Sequence, residues 1–310
     1  QLDKALASTL KSLELKPDFH FAINNLKGYL DEITISSANA VNVEKTYELM
    51  INLCNVSHSN LSKVFTRVFL PIFKEAAKSD PIISTNNNAL AKLAGDWRLR
   101  KSLTLLIPPH QGIEQFLTYL RKELVVLAAN QQKIPKHLNA LTQALATQCF
   151  LNEYVYTQSM EEKKLVNQII HASQISQDSF DQYLAIIACY TPIHQLDLNK
   201  DWLENYPTAS YESRSLIQVQ LQEPREEARI KNTIQVISKV TDKVSAEVQN
   251  MYEENPYPRY FYTNHTDKSL AKNICEAIKV ESTKNNLLFS EKIASNHLQP
   301  KVLIAGCGTG

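Results

Sequence analysis

The chain has 310 residues, 44% of them hydrophobic, with 33 basic and 32 acidic side chains and a formal net charge of +1. So even a balance argues against a partner held by bulk charge, whether nucleic acid or a membrane surface, and no apolar run approaches the roughly 20 residues that span a bilayer. The five cysteines are scattered with no CxxC pair, which points to reduced, buried thiols in a cytoplasmic protein and away from a disulfide framework or zinc site.

There are only 6 glycines, and Gly306, Gly308 and Gly310 are three of them. The first 300 residues are therefore almost free of the residue that turns and bulges need, so a large antiparallel β domain is excluded there and a helical array is expected. Residues 1–30 read as helix, turn, helix. Leu2, Ala5, Leu6, Thr9, Leu10 and Leu13 recur at helical spacing, Pro17 closes the segment, and Ala22, Ile23, Leu26 and Leu30 begin another. This resembles the junction between two tetratricopeptide repeats. Ala5, Pro17 and Leu26 stand where that family has its small residue, closing proline and next leucine, while Ser12 and Lys27 replace the usual alanine and glycine. No self-similarity at the roughly 34-residue period follows residue 35. The resemblance therefore implies the end of an array, with a possible protein partner on it; an ordinary helical hairpin is the alternative.

Helical spacing continues through 44–77, where Pro71 is expected to interrupt the run. Asn88 is a candidate cap for the helix carrying Leu90, Leu93 and Trp97. From Gly112 to Ala129, Ile113, Phe116, Leu117, Leu120, Leu124 and Leu127 form one apolar face, with Arg121, Lys122 and Glu123 largely off it. Another helix is expected over about 135–157. Ser159 and Glu162 fit a capping box opening the next, and Ser179 to Tyr190 is a strongly apolar segment. Residues 195–225 read as irregular but packed. A long helix is expected over about 226–250, with Glu226-Glu227, like Glu161-Glu162, as solvated charges at a helix start.

Chemistry enters at the end. Val302-Leu303-Ile304-Ala305 is an apolar strand that runs into Gly306-Cys307-Gly308-Thr309-Gly310. A turn of this kind lets backbone N–H groups approach a nucleotide-like ligand, because no Cβ stands in the way. Spacing alone permits either a dinucleotide or an S-adenosylmethionine site. The segment resembles motif I of class I S-adenosylmethionine-dependent methyltransferases, with the Cys and Thr matching as well as the glycines. That resemblance implies a Rossmann-like domain and places Ala305, Gly306, Cys307, Gly308, Thr309 and Gly310 around the amino-acid part of S-adenosylmethionine. Ile304 departs from the pattern, since many members have an acidic residue there.

Tyr252-Glu253-Glu254-Asn255-Pro256-Tyr257-Pro258-Arg259 lies upstream of it. Together with the Gln148–Tyr154 segment, it is similar to bacterial proteins that join tetratricopeptide repeats to a methyltransferase domain. Its prolines make a stiff, extended connector. Tyr252, Tyr257 and Arg259 either line the cofactor or substrate mouth or form a packed hinge.

The expected architecture is mainly α. Residues 1–35 end a tetratricopeptide-like array, 36–225 form a helical middle domain, and 226–310 hold the linker helix, the NPYP segment and the start of the methyltransferase domain. The chain opens on Gln1 and closes inside the glycine turn, so it reads as an inactive fragment of a methyltransferase, with no metal, nucleic acid or membrane. Two alternatives stand beside this reading. One is a helical-repeat scaffold with a degenerate Rossmann-like domain. The other is a nicotinamide-dependent oxidoreductase.

Overall fold

The structure is a computed structural model. It describes residues 2–16, 19, 21–26, 44, 47–48, 51, 58–108, 110–175, 177–196, 210–234, 241–254, 283 and 285. Among these residues it is mainly helical and contains no strand. The chain divides into two compact units, Gln1–Ile237 and Ser238–Gly310.

In the first unit α1 spans Leu2–Leu15 and buries Leu6, Leu10 and Leu13. Helix returns at 21–26, where Ala22, Ile23 and Leu26 are buried. Two of the expected helical stretches are therefore present; Pro17, Asp18 and His20 between them lie outside the described residues.

α2 spans His58–Ala76 and continues through Pro71, which the sequence reading had as an interruption. Proline inside a helix costs about 3 kcal/mol. Phe65, Phe69, Phe73 and Ala76 lie on one face and are all buried, at about 2 kcal/mol for each large side chain, which outweighs that penalty. Tyr47 packs against this row, with its ring centroid 5.7 Å from that of Phe69. Its hydroxyl lies 2.5 Å from Ser102 Oγ.

α3 (Asn88–Gly95) and α4 (Trp97–Leu103) are both capped by side chains. The cap of α3 is Asn87, one residue before the expected Asn88. Its Oδ1 accepts from Leu90 N at 3.0 Å, while its Nδ2 donates to the carbonyls of Ala76 and Ile82 at 2.9 Å each. Asn87 thus ties α2, the following turn and α3 together from a buried position. Asn87→Ala removes a cap and one of the two donors to each of the Ala76 and Ile82 carbonyls, which keep Ser79 N and Ser84 N. The expected loss is about 2–3 kcal/mol in urea unfolding.

Asp96 caps α4 by accepting from Arg98 N at 2.9 Å, and it holds the Arg98 guanidinium at 2.7 Å. Burial pushes the Asp96 carboxyl up, but the hydrogen bonds and charge of Arg98 and the backbone N–H of Leu99 outweigh it and leave it below 3.8. A depressed carboxylate stabilises the fold above the ordinary carboxylate range and loses that contribution as pH falls through the folded value. Asp96→Asn is therefore expected to lower the melting temperature at pH 7, by an amount that shrinks as the pH falls below the ordinary carboxylate range.

α5 spans Gln111–Ala129 and is the central helix of the unit. Ile113, Phe116, Leu117, Leu120 and Leu124 are buried, as expected, while Leu127 is only half-buried and Val125 and Ala128, outside the expected stripe, are buried instead; Phe116 meets Phe73 edge-on at 5.1 Å. Arg121, expected off this face, is only 1% exposed. Glu123 is turned inward as well. Its carboxylate accepts from Ile82 N and Ile83 N at 2.7 and 2.6 Å.

A short 3₁₀ turn at Lys136–Leu138 leads into α6 (Asn139–Leu151), almost all of which is buried. The expected helix over 135–157 ends early because Glu153 and Tyr154 adopt positive φ values of 58° and 56°. Tyr154 N then donates back to Cys149 O at 2.8 Å, closing the helix end. α7 (Met160–Ile175) opens on the expected capping box, with Ser159 N donating to Glu162 Oε2 at 2.8 Å and Glu162 N to Ser159 Oγ at 3.1 Å. α8 spans Gln177–Ala188 and packs on α6 and α7.

Residues 210–225, expected to be irregular, are helical: α9 (Tyr211–Ile217), a π-helical turn at Gln218–Gln222, then α10 (Glu223–Lys231). The polar composition misleads because its buried polar groups are paired. Gln220 Nε2 donates to Ala146 O at 2.8 Å and Ala188 O at 3.2 Å, and its Oε1 accepts from Ile193 N at 3.2 Å. Glu212 accepts from Arg100 Nε at 2.5 Å. The helix expected over 226–250 is broken. α10 ends in a turn where Thr233 Oγ1 donates to Ile230 O at 2.7 Å.

In the second unit Asp242 caps α11 (Lys243–Glu254) by accepting from Ser245 N at 2.8 Å.

Candidate functional site

Among the residues expected to bind a cofactor, Ala305, Gly306, Cys307, Gly308, Thr309 and Gly310 lie outside the described residues, as do Tyr257 and Arg259. Tyr252 is described. It sits in the last turn of α11, 55% exposed, near Val248 and Met251, which are also exposed.

The densest buried polar cluster lies in the first unit and was not expected. Arg121 of α5 donates from Nη2 to Thr157 O at 2.7 Å and Tyr156 O at 3.4 Å. Its guanidinium lies over the Tyr190 ring, 4.3 Å from the centroid, and 3.8 Å from Glu162 Oε1. Tyr190 Oη shares its proton between Glu162 Oε1 at 2.9 Å and Arg121 O at 3.2 Å. Burial holds the Tyr190 hydroxyl well above the usual phenol range, so it stays protonated as the donor.

These contacts fix the extended segment after α6 against α5, α7 and the end of α8. The signal in the sequence was Leu117, Arg121 and Val125 at steps of four on the buried face, with Arg121 too close to the stripe to escape it. Glu162 was read as a solvated charge, but the capping box draws its carboxylate inward to Ser159 N.

Beside this cluster an open cleft of about 440 Å³ runs between α5 and the start of α7, lined by Glu114, Tyr119, Lys122 and Glu162 among others. The buried carboxylate in its wall, Glu162, already has both oxygens engaged by Ser159 N and Tyr190 Oη. The other charged groups are one acid and one base on an exposed helix face. This arrangement braces the fold and presents no poised nucleophile or base.

The remaining reactive groups of the described residues are structural as well. Cys149 and Cys189 are buried free thiols, and burial raises Cys189 further from thiolate formation. His110 Nδ1 accepts from Gly112 N at 3.0 Å at the start of α5, and His194 Nδ1 lies 3.1 Å from Gln220 O. Among the described residues no group of His, Cys, Asp and Glu could hold a metal ion, and no helix is long and apolar enough to cross a membrane. Comparisons with protein-family models, with curated proteins and with solved structures find no match to this chain.

Proposed function

We propose that this chain is part of an S-adenosylmethionine-dependent methyltransferase, with the turn from Ala305 to Gly310 holding the amino-acid end of the cofactor. The observation that carries this reading is Val302-Leu303-Ile304-Ala305-Gly306-Cys307-Gly308-Thr309-Gly310. An apolar run is followed here by three glycines in alternation, a pattern that in a strand and turn would leave backbone N–H groups open to a carboxylate or ribose oxygen.

Two findings agree with it. The first unit is helical, and its described polar clusters are occupied in bracing the fold, which suits a domain that supports chemistry done elsewhere. A second compact unit begins at Ser238 and contains the glycine turn. S-adenosylmethionine supplies an electrophilic methyl group. The protein's part is to align an acceptor with that methyl and to keep water out. On this reading the glycine turn orients the cofactor, and Tyr257 and Arg259, upstream of it on a proline-rich segment, either line the mouth of the site or form a packed hinge.

The test is equilibrium dialysis of methyl-labelled S-adenosylmethionine against the natural gene product that contains these 310 residues. Retention that unlabelled S-adenosylhomocysteine displaces is the expected result. No retention at about 1 mM cofactor, roughly the upper end of ordinary KM values, would end this reading.

A further inference from the structure

The cleft beside the Arg121 network has walls that are held in place and polar groups that are left open. One wall is the outer face of α5, where Glu114, Thr118 and Lys122 follow at steps of four. The other is the segment from Thr157 to Ser159. Arg121 fixes it through Thr157 O, and Glu162 fixes it through Ser159 N.

Among the described residues, neither the Lys122 ammonium nor the Glu114 carboxylate has an ion-pair partner. Eight residues of helix set them about 12 Å apart along α5. A cation and an anion thus face one cleft, too far apart to neutralise each other. On the opposite wall Thr157 N, Gln158 N and Gln158 O make no backbone hydrogen bond. Open main-chain donors and acceptors beside a cleft can pair with the main chain of a peptide. Val155 and Met160, on either side of this wall, are 66% and 70% exposed and offer apolar contact at its rim.

Size agrees with a short occupant. The cleft measures about 440 Å³, within the range of small-ligand sites. An extended chain of three residues spans about 10–11 Å, which matches the separation of the two charges. A polyanion is disfavoured, because Glu114 and Glu162 both line the cleft.

We propose that this cleft binds a free peptide of about three residues. Its terminal ammonium donates to Glu114, its terminal carboxylate accepts from Lys122, and its main chain pairs with Thr157 and Gln158. The site holds the peptide without reacting with it, since the Glu162 carboxylate in its wall is already engaged on both oxygens. The inference rests on the first unit alone and is independent of any cofactor bound at the glycine turn.

Calorimetric titration of trialanine into the natural gene product tests it. One site per chain is expected, with a dissociation constant of about 0.3 mM, that of a ligand of this size at ordinary efficiency per atom. Lys122→Met and Glu114→Gln, both at exposed positions, are each expected to weaken binding about fivefold. Trialanine acetylated at one end and amidated at the other loses both charges and should give no saturable heat. Lys163→Met, at an exposed lysine outside the cleft lining, should leave the affinity unchanged. Absence of saturable heat up to about 5 mM trialanine would overturn the proposal. So would capped trialanine binding as tightly as the free peptide, or affinity unchanged in both Lys122→Met and Glu114→Gln.

Discussion

Arg121→Ala lowers the stability of the first unit by about 3–5 kcal/mol, seen as a shift of the urea midpoint at constant slope. The guanidinium is the largest fully buried polar group among the described residues, and its removal has three consequences. The carbonyls of Tyr156 and Thr157 lose their donor. The Tyr190 ring loses the cation over its face. The Glu162 carboxylate stays buried without a positive partner, which is the most costly of the three. Because the cost comes mainly from the orphaned charge, Arg121→Met combined with Glu162→Gln should recover more than half of the loss. A loss below about 1 kcal/mol for Arg121→Ala would mean that the segment from Asn152 to Ser159 is held by something other than this network.

On the proposed function, Gly308→Val is expected to weaken S-adenosylmethionine binding by at least about 100-fold, or about 2.7 kcal/mol. Valine adds a branched Cβ where the backbone must approach the ligand, and it restricts the φ values the turn can adopt. The first unit should keep its urea midpoint, since Gly308 lies in the other compact unit. Retention equal to that of the unaltered protein would place the cofactor elsewhere, whatever the turn resembles.

Helix positions in the first unit were legible because burial follows a 3.6-residue rhythm. Leu6, Leu10 and Leu13 of α1 and Ile113, Phe116, Leu117, Leu120 and Leu124 of α5 are buried where their spacing put them, and the Ser159–Glu162 capping box forms as written. What misled was polarity that tertiary contacts neutralise. Gln220 and Glu212 look like loop residues until the carbonyls of Ala146 and Ala188 and the guanidinium of Arg100 are placed beside them. Arg121 is charged on a buried stripe, so a rule that puts charge outside misplaces it. Pro71 breaks helices by local rules, yet the aromatic row across α2 carries the helix past it. The break after Lys231 was hidden because isoleucines and valines continue in phase on both sides of it. Thr233, in the turn that ends one helix, and Asp242, which caps the next, were the signal for it. The segment Val302–Gly310 lies outside the described residues, so its reading rests on the sequence alone.

The most direct test of the central claim is calorimetric titration of S-adenosylmethionine, and separately of NADH, into the natural gene product that contains these 310 residues. The account predicts micromolar S-adenosylmethionine binding, one site per chain, abolished by Gly308→Val, with no heat from NADH. Binding of NADH alone would contradict it and move the glycine turn to a nicotinamide site. Binding of neither would contradict it as well and leave the helical unit as a scaffold for a protein partner.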